Sequence, residues 1–199
     1  MSTFEEQDNL ASRFNAQVTS VNGYFKRVPD LHGASEYITK IALGRNAKRI
    51  VVSDDSLSLE IRNEIIHGGL FDVASRTTSS REDFFESLKY AEIGISWVDL
   101  AVAETGTLII ATSDESARLV TALPEVHVAI VPRSKLIPSL KEAGPHLTKA
   151  TRKTAGALTV SLISASSRTS DIADIEILGV HGPKELHVLL LDGERPRGL

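Results

Sequence analysis

The 199-residue sequence has no cysteine. That excludes disulfides, thiolate zinc sites, cysteine-ligated iron–sulfur clusters and a cysteine nucleophile within this chain. It also lacks any apolar run near the ~20 residues that a helical membrane span requires. Neither sign of charge dominates: 22 Lys+Arg stand against 26 Asp+Glu, a net charge of -4. Dispersed, mildly acidic charge argues against a broad phosphate-backbone footprint, and so against a nucleic-acid partner. The N-terminus has neither a basic n-region nor an apolar h-region, which sets the expectation of a cytoplasmic protein. GxGxxG, P-loop, GxSxG and HExxH patterns are all missing from the sequence. His32, His67 and His146 have no partners at metal-ligand spacing.

What is present is an ordinary globular composition, 42% hydrophobic and 24% charged. A chain of this length buries roughly 70% of its unfolded surface without a staple. Residues 3–21 read as a helix with Ala11, Phe14, Val18 and Val21 on one face and Glu5, Glu6, Asp8 and Arg13 turned to water. Up to about residue 90, short strands alternate with helices: 24–28, a helix with Ala34, Tyr37, Ile38, Ile41 and Ala42, then 49–54, a helix with Leu57, Ile61 and Ile65, then 71–74. Ser79-Ser80-Arg81-Glu82 is a capping-box pattern ahead of a helix with Phe84, Phe85 and Leu88. Such alternation implies parallel strands joined by crossover helices.

From Ile93 onward the chain is strand-rich, with apolar runs at 108–111, 126–131 and 186–191, alternating segments at 93–97 and 158–163, and a helical region at 134–154 broken near Gly144-Pro145. No linker interrupts the middle, so one continuous sheet is expected. The predicted organisation is a helical annex at 1–23, a single α/β domain at 24–192 and a loose tail at 193–199. The fold class is α/β, a parallel-rich sheet flanked by helices with an N-terminal helix.

Three stretches could carry chemistry. Ala103-Glu104-Thr105-Gly106-Thr107 opens the strand at 108–111. Backbone N–H groups around Gly106, with the hydroxyls of Thr105 and Thr107, suit an anion-binding nest, and Glu104 suits a general base or nucleophile. The same residues also suit a hydrogen-bonded turn with a solvated or ion-paired Glu104. Ser164-Ala165-Ser166-Ser167-Arg168-Thr169-Ser170-Asp171 combines hydroxyls with one guanidinium and a potential helix start near residues 169–171. It reads either as an anion site built on Ser167, Arg168 and Thr169 or as an N-cap cluster with a surface arginine. Gly179-Val180-His181-Gly182-Pro183 is a rigid turn whose His181 is either a proton relay or a solvated residue. His127 and His187, inside apolar strands, are expected to be satisfied by local hydrogen bonds. Trp97, the sole tryptophan, is expected in the core or in a site wall.

In this order the three stretches resemble the lactate-utilisation protein C family, the LUD-domain family. Gly94-Ile95, Asp99, Leu123-Pro124, Ser167-Arg168-Thr169-Ser170-Asp171-Ile172 and Leu178-Gly179-Val180-His181-Gly182-Pro183 also match. The resemblance is strong over residues 90–192 and extends to the N-terminal half only in its strand–helix pattern. One departure is Ala165-Ser166, where the family usually has Gly-Pro.

The resemblance implies a fold like that of the sugar-phosphate isomerase and CoA-transferase group, with sites near strand carboxyl ends. It implies a part in oxidising L-lactate to pyruvate beside iron–sulfur partner proteins. With no cysteine here, no cofactor is expected in this chain, and any such cluster belongs to a partner. The leading expectation is therefore a cluster-free subunit of a lactate-utilisation system. The alternatives are a protein acting alone on an anionic metabolite, such as a sugar phosphate or CoA thioester, and a pure interaction module. In the enzyme alternative Glu104 is base or nucleophile, Thr105, Gly106, Thr107, Ser167, Arg168 and Thr169 hold the anion, and His181 relays a proton.

Overall fold

The computed structural model describes residues 4–54, 56–153, 157–170, 176–178 and 181–193, with backbone only at 4, 56, 57, 67, 153, 168–170 and 176–178. The chain opens with helix α1 (Phe4–Ser20), strand β1 (Tyr24–Val28), α2 (Leu31–Gly44) and β2 (Arg49–Val52). It continues through α3 (Ser56–His67), β3 (Asp72–Ser75), α4 (Arg81–Lys89) and β4 (Ile93–Trp97). After β4 come a hairpin of β5 (Leu100–Val102) and β6 (Thr107–Thr112), then α5 (Glu115–Ala122) and β7 (Val126–Pro132). The remainder is β8 (Leu136–Ile137), α6 (Ala143–Lys153), β9 (Thr159–Ile163), β10 (Arg168–Ser170), β11 (Glu176–Leu178) and β12 (Glu185–Leu191).

Six strands form the central sheet in the order β1-β12-β7-β4-β2-β3, and every neighbouring pair is parallel. A parallel sheet buried on both faces needs continuous apolar strands, and β7 supplies one: all seven of its residues are buried. Its Val126, Val128 and Ile130 point to the side covered by α2 and α3, while Ala129 and Val131 point the other way. Each such fully buried aliphatic side chain contributes about 1.5–3 kcal/mol relative to exposure.

The expectation of one continuous sheet does not hold. A second, four-stranded sheet runs β8-β5-β6-β9, and β10 pairs with β11 as a separate antiparallel ladder. The small sheet shares a core with α1, whose Ala11, Phe14 and Val18 pack with Val98, Ala101, Leu108, Val188 and Leu190. Its other face, with Leu100, Val102 and Ile109, is closed by Ala143 and Leu147 of α6. The apolar face of α1 is thus as predicted, but Asp8 on the opposite side is not simply solvated. Asp8 ion-pairs with Arg27 (3.0 Å) and Arg133 (2.9 Å), and both arginines also reach Asp192.

Local signals explain several boundaries. Asp30 caps α2 by accepting Gly33 N–H at 2.8 Å. The α4 cap is Ser80, one residue later than the pattern suggested, with Asp83 closing it reciprocally: Ser80 Oγ accepts Asp83 N–H and donates to Asp83 Oδ2. Helix α5 has no counterpart in the sequence reading. It is eight residues long and turns Ser116, Val120 and Thr121 inward, too polar a face to register as an apolar stripe. The region 134–154 is only partly α-helical. It begins with a 3-10 turn and β8, and Gly144-Pro145 lies in the first turn of α6, where proline is tolerated. Residues 194–199, most of the predicted tail, lie outside the described residues.

Candidate functional site

The turn joining β5 to β6 carries the first predicted stretch. Gly106 has φ +68°, and a β carbon there would meet Gln17 Cβ at 3.0 Å, so this glycine lets the turn lie against the end of α1. Glu104 is partly exposed, and its Oε1 accepts the Leu140 N–H at 2.9 Å. Thr105 Oγ1 donates to Thr107 Oγ1 (2.7 Å), which in turn shares a hydrogen bond with Ser164 Oγ (2.9 Å). The second stretch is thereby joined to the first.

The third stretch is joined to the second. Ser167 N–H donates to the Pro183 carbonyl at 2.8 Å, and His181 N–H donates to Ser167 Oγ at 3.2 Å. His181 itself is exposed. The helix start predicted near residues 169–171 is instead the strand β10, its Arg168 and Thr169 in register with Leu178 and Ile177. Residues 168–170 are thus paired as a strand and do not open a helix. The side chains of Arg168 and Thr169, together with Asp171, Gly179 and Val180, lie outside the described residues.

A different place in the fold forms a cleft. Successive connections diverge between β2 and β4: from β2 the chain leaves through α3 to β3, and from β4 through the β5–β6 hairpin and α5 to β7. In open α/β sheets, the carboxyl ends of such a divergent pair are where ligands bind. Here a cleft of about 250 Å³ is lined by Ser53 and Asp54 after β2, Ser96, Trp97 and Asp99 around the end of β4, Ile110, Ala111 and Thr112 at the end of β6, and Asp114 and Ala117 at the start of α5. None of the predicted site residues lines it. Thr107 and Thr112 are the two ends of β6, so the loop cluster and the cleft stand about 17 Å apart along that strand. A larger depression, lined by His32, Ser35, Glu36, Thr39, Lys40 and Leu43, is the open outer surface of α2.

The acidic lining of the cleft is anchored to backbone. Asp99 Oδ2 accepts Ala111 N–H (2.8 Å), Asp114 Oδ1 accepts Ser116 N–H (2.9 Å) as the α5 cap, and Asp54 Oδ1 accepts Thr77 N–H (3.0 Å). Trp97 stands in the wall, as the sequence allowed. Behind Ser96 lies His127 of β7. Its Nε2 shares a 2.8 Å hydrogen bond with Ser96 Oγ, while Nδ1 is buried with no hydrogen-bond partner among the described residues. Complete burial, with a smaller effect from His187, lowers the His127 pKa to about 4, so its imidazole is neutral at neutral pH.

His187, on the opposite face of the sheet, meets the expectation of local satisfaction more fully. It contacts Tyr37 Oη (3.2 Å) and Glu185 Oε2 (3.1 Å) and stacks on Tyr24. Burial lowers its pKa, against the opposing effect of its hydrogen bond to the Glu185 carboxylate. Burial pushes the Glu185 carboxyl upward, but hydrogen bonds from His187 and Arg45 together outweigh it and hold that carboxyl below its ordinary range.

An open parallel sheet with helices on both faces, an appended antiparallel sheet and a crevice at diverging strand ends defines a protein of the doubly wound α/β class. Within that class the chain belongs to the LUD domain family, whose model matches residues 11–191. It is 31% identical over 107 residues to lactate utilization protein C of Shouchella clausii, a stretch covering 54% of this chain and 47% of that protein. It is 32% identical over 111 residues to lactate utilization protein C of Geobacillus thermodenitrificans, covering 54% and 45%. Lactate utilization protein B of Geobacillus kaustophilus aligns over 97% of this chain and 50% of its own length, at 24% identity. The chain thus spans about half the length of the curated relatives it matches. The fold is also that of a DUF162 family protein from Deinococcus radiodurans, with a TM-score of 0.66 at 18% identity, covering 94% of this chain and 98% of that one. Among the described residues, no helix is long and apolar enough to cross a membrane.

Proposed function

We propose that this chain serves L-lactate utilisation as a cluster-free LUD unit that acts beside iron–sulfur proteins in the oxidation of lactate to pyruvate. The observation that carries this reading is the LUD match over residues 11–191, joined to relatives named lactate utilization proteins B and C. The absence of cysteine from these 199 residues supports the division of labour, because they cannot themselves ligate a cluster through cysteine. The test is deletion of the gene, with growth measured on L-lactate as carbon source. Loss of growth, restored by the wild-type gene, is expected; undiminished growth in a strain with no second copy overturns the reading.

A second reading is favoured by the hydrogen bonds that tie the three loops together, Thr107 to Ser164 and Ser167 to His181. In it, the loop cluster binds a small anionic metabolite, a sugar phosphate or a CoA thioester. Thr105, Gly106, Thr107, Ser167, Arg168 and Thr169 hold the anion, Glu104 acts as base or nucleophile, and His181 relays the proton. Thermal denaturation with sugar phosphates, CoA esters and short hydroxy acids tests it. A true ligand at a hundred times its Kd stabilises the fold by about 2.7 kcal/mol. No stabilisation by any of them counts against this reading and leaves the first intact.

A further inference from the structure

We propose that the cleft at the carboxyl ends of β2 and β4 binds a small, uncharged, polyhydroxylated molecule about one sugar ring in size, with the Ser96 hydroxyl, held by His127, as one of its partners. This goes beyond the lactate reading and concerns the opposite end of β6 from the loop cluster.

The Ser96–His127 pair is the first ground. Ser96 is 1% exposed and His127 is 0% exposed, on a strand whose other residues are aliphatic apart from the terminal Pro132. Leaving one imidazole nitrogen unpaired costs about 1–3 kcal/mol, a cost that valine or leucine would not incur at that position. Packing therefore does not account for a histidine there. The only hydrogen bond the imidazole makes among the described residues fixes a hydroxyl in the cleft wall. His127 is a positioning residue in this scheme, and Ser96 is the group that touches the ligand.

The lining gives the ligand's chemistry. Among the described residues, no lysine, arginine or histidine lines the cleft, whereas Asp54, Asp99 and Asp114 do, so a carboxylate or phosphate would enter against like charge. The acceptors are spread over three strand ends and a helix cap. Among the described residues, no group of three or more acidic or histidine side chains gathers as a metal-ion site. Dispersed acceptors and hydroxyls match dispersed hydroxyls on a ligand better than a point charge. Trp97 offers the flat apolar surface against which the carbon face of a sugar ring packs. A volume of about 250 Å³ falls below that of pockets for drug-sized molecules, which restricts the occupant to a single ring.

The test is calorimetric titration of the full chain with D-ribose, D-glucose, ribose 5-phosphate and L-lactate. At least one neutral sugar is expected to bind saturably, with the phosphate ester about tenfold weaker or worse. Ser96→Ala is expected to weaken sugar binding about tenfold, the value of one lost hydrogen bond at its upper range. Asp54→Asn, which still accepts the Thr77 N–H, is expected to weaken it by several fold. His127→Leu removes the unpaired nitrogen; it is expected to leave the melting temperature undiminished yet weaken sugar binding, with His127→Asn restoring part of the affinity. A merely structural histidine would lower stability and leave affinity alone. Failure of both neutral sugars to bind, tighter binding of ribose 5-phosphate than of ribose, or wild-type affinity in both Ser96→Ala and Asp54→Asn overturns the proposal. L-lactate binding that Ser96→Ala abolishes overturns it as well.

Discussion

Gly94 of β4 lies directly beneath the carbonyl oxygen of Val120, in the last turn of α5. A β carbon at position 94 would strike that oxygen and come within 2.9 Å of Pro124 Cγ. The helix therefore rests on bare backbone, and this close approach sets how α5 and its cap Asp114 stand over the cleft. Gly94→Ala is expected to destabilise the protein by about 1–3 kcal/mol, the cost of overpacking where backbone rather than a flexible side chain must give way. A urea midpoint equal to wild type would mean that α5 does not sit on the sheet in this way.

The neutral His127 makes stability depend on pH with a definite sign. Its folded pKa of about 4 lies below the ordinary 6.5, so the unfolded chain takes up the proton first as pH falls. Its contribution is complete above pH 6.5 and is lost on acidification toward pH 4, by roughly 3 kcal/mol in all. Comparing wild type with His127→Leu across that window isolates this part from the carboxylates. Parallel stability curves for the two proteins would contradict it.

Arg133 is only 12% exposed at its side chain and bridges Asp8 of α1 to Asp192 after β12. Arg133→Met keeps the aliphatic stem and removes both ion pairs. A loss of about 1 kcal/mol is expected, shrinking as salt is raised, because the aspartates are partly solvated. Denaturation at low and high ionic strength checks it.

Glu104 separates its two possible roles by substitution. Glu104→Gln still accepts the Leu140 N–H, so stability is expected to stay within about 0.5 kcal/mol of wild type, whereas Glu104→Ala loses that bond and about 1 kcal/mol. If the carboxylate is a base or nucleophile, Glu104→Gln also fails to restore growth on L-lactate to a deletion strain. Full restoration by Gln assigns Glu104 to the turn alone.

The parallel sheet was legible because its inner strands are largely apolar and its first strands alternate with helices of clear periodicity. The loop cluster was legible in part: Thr107 does meet Ser164, and Ser167 does meet His181. The cleft was not. Its residues come from four separate places in the sequence, Ser53-Asp54, Ser96 to Asp99, Ile110 to Thr112 and Asp114, and only the sheet order brings them together. A histidine inside an aliphatic run looks the same in sequence whether both nitrogens are satisfied, as for His187, or one is left over, as for His127. The strand at Arg168–Ser170 looked like a helix start because its hydroxyl-rich composition is that of a cap, and nothing in that composition announces its pairing with Glu176–Leu178.

The pairing of β1 with β12 bears on how the protein is made. Within the central sheet, the strand synthesised first has the strand synthesised last as its sole neighbour, Tyr24 opposite His187, and the Arg27–Asp192 pair closes the same seam. Nascent β1 therefore waits for its one neighbour in the central sheet until β12 has emerged, while α1 can already meet Val98, Ala101 and Leu108. Until β12 emerges, β1 offers an unpaired strand edge, and it is the part of the sheet that most needs protection from other chains.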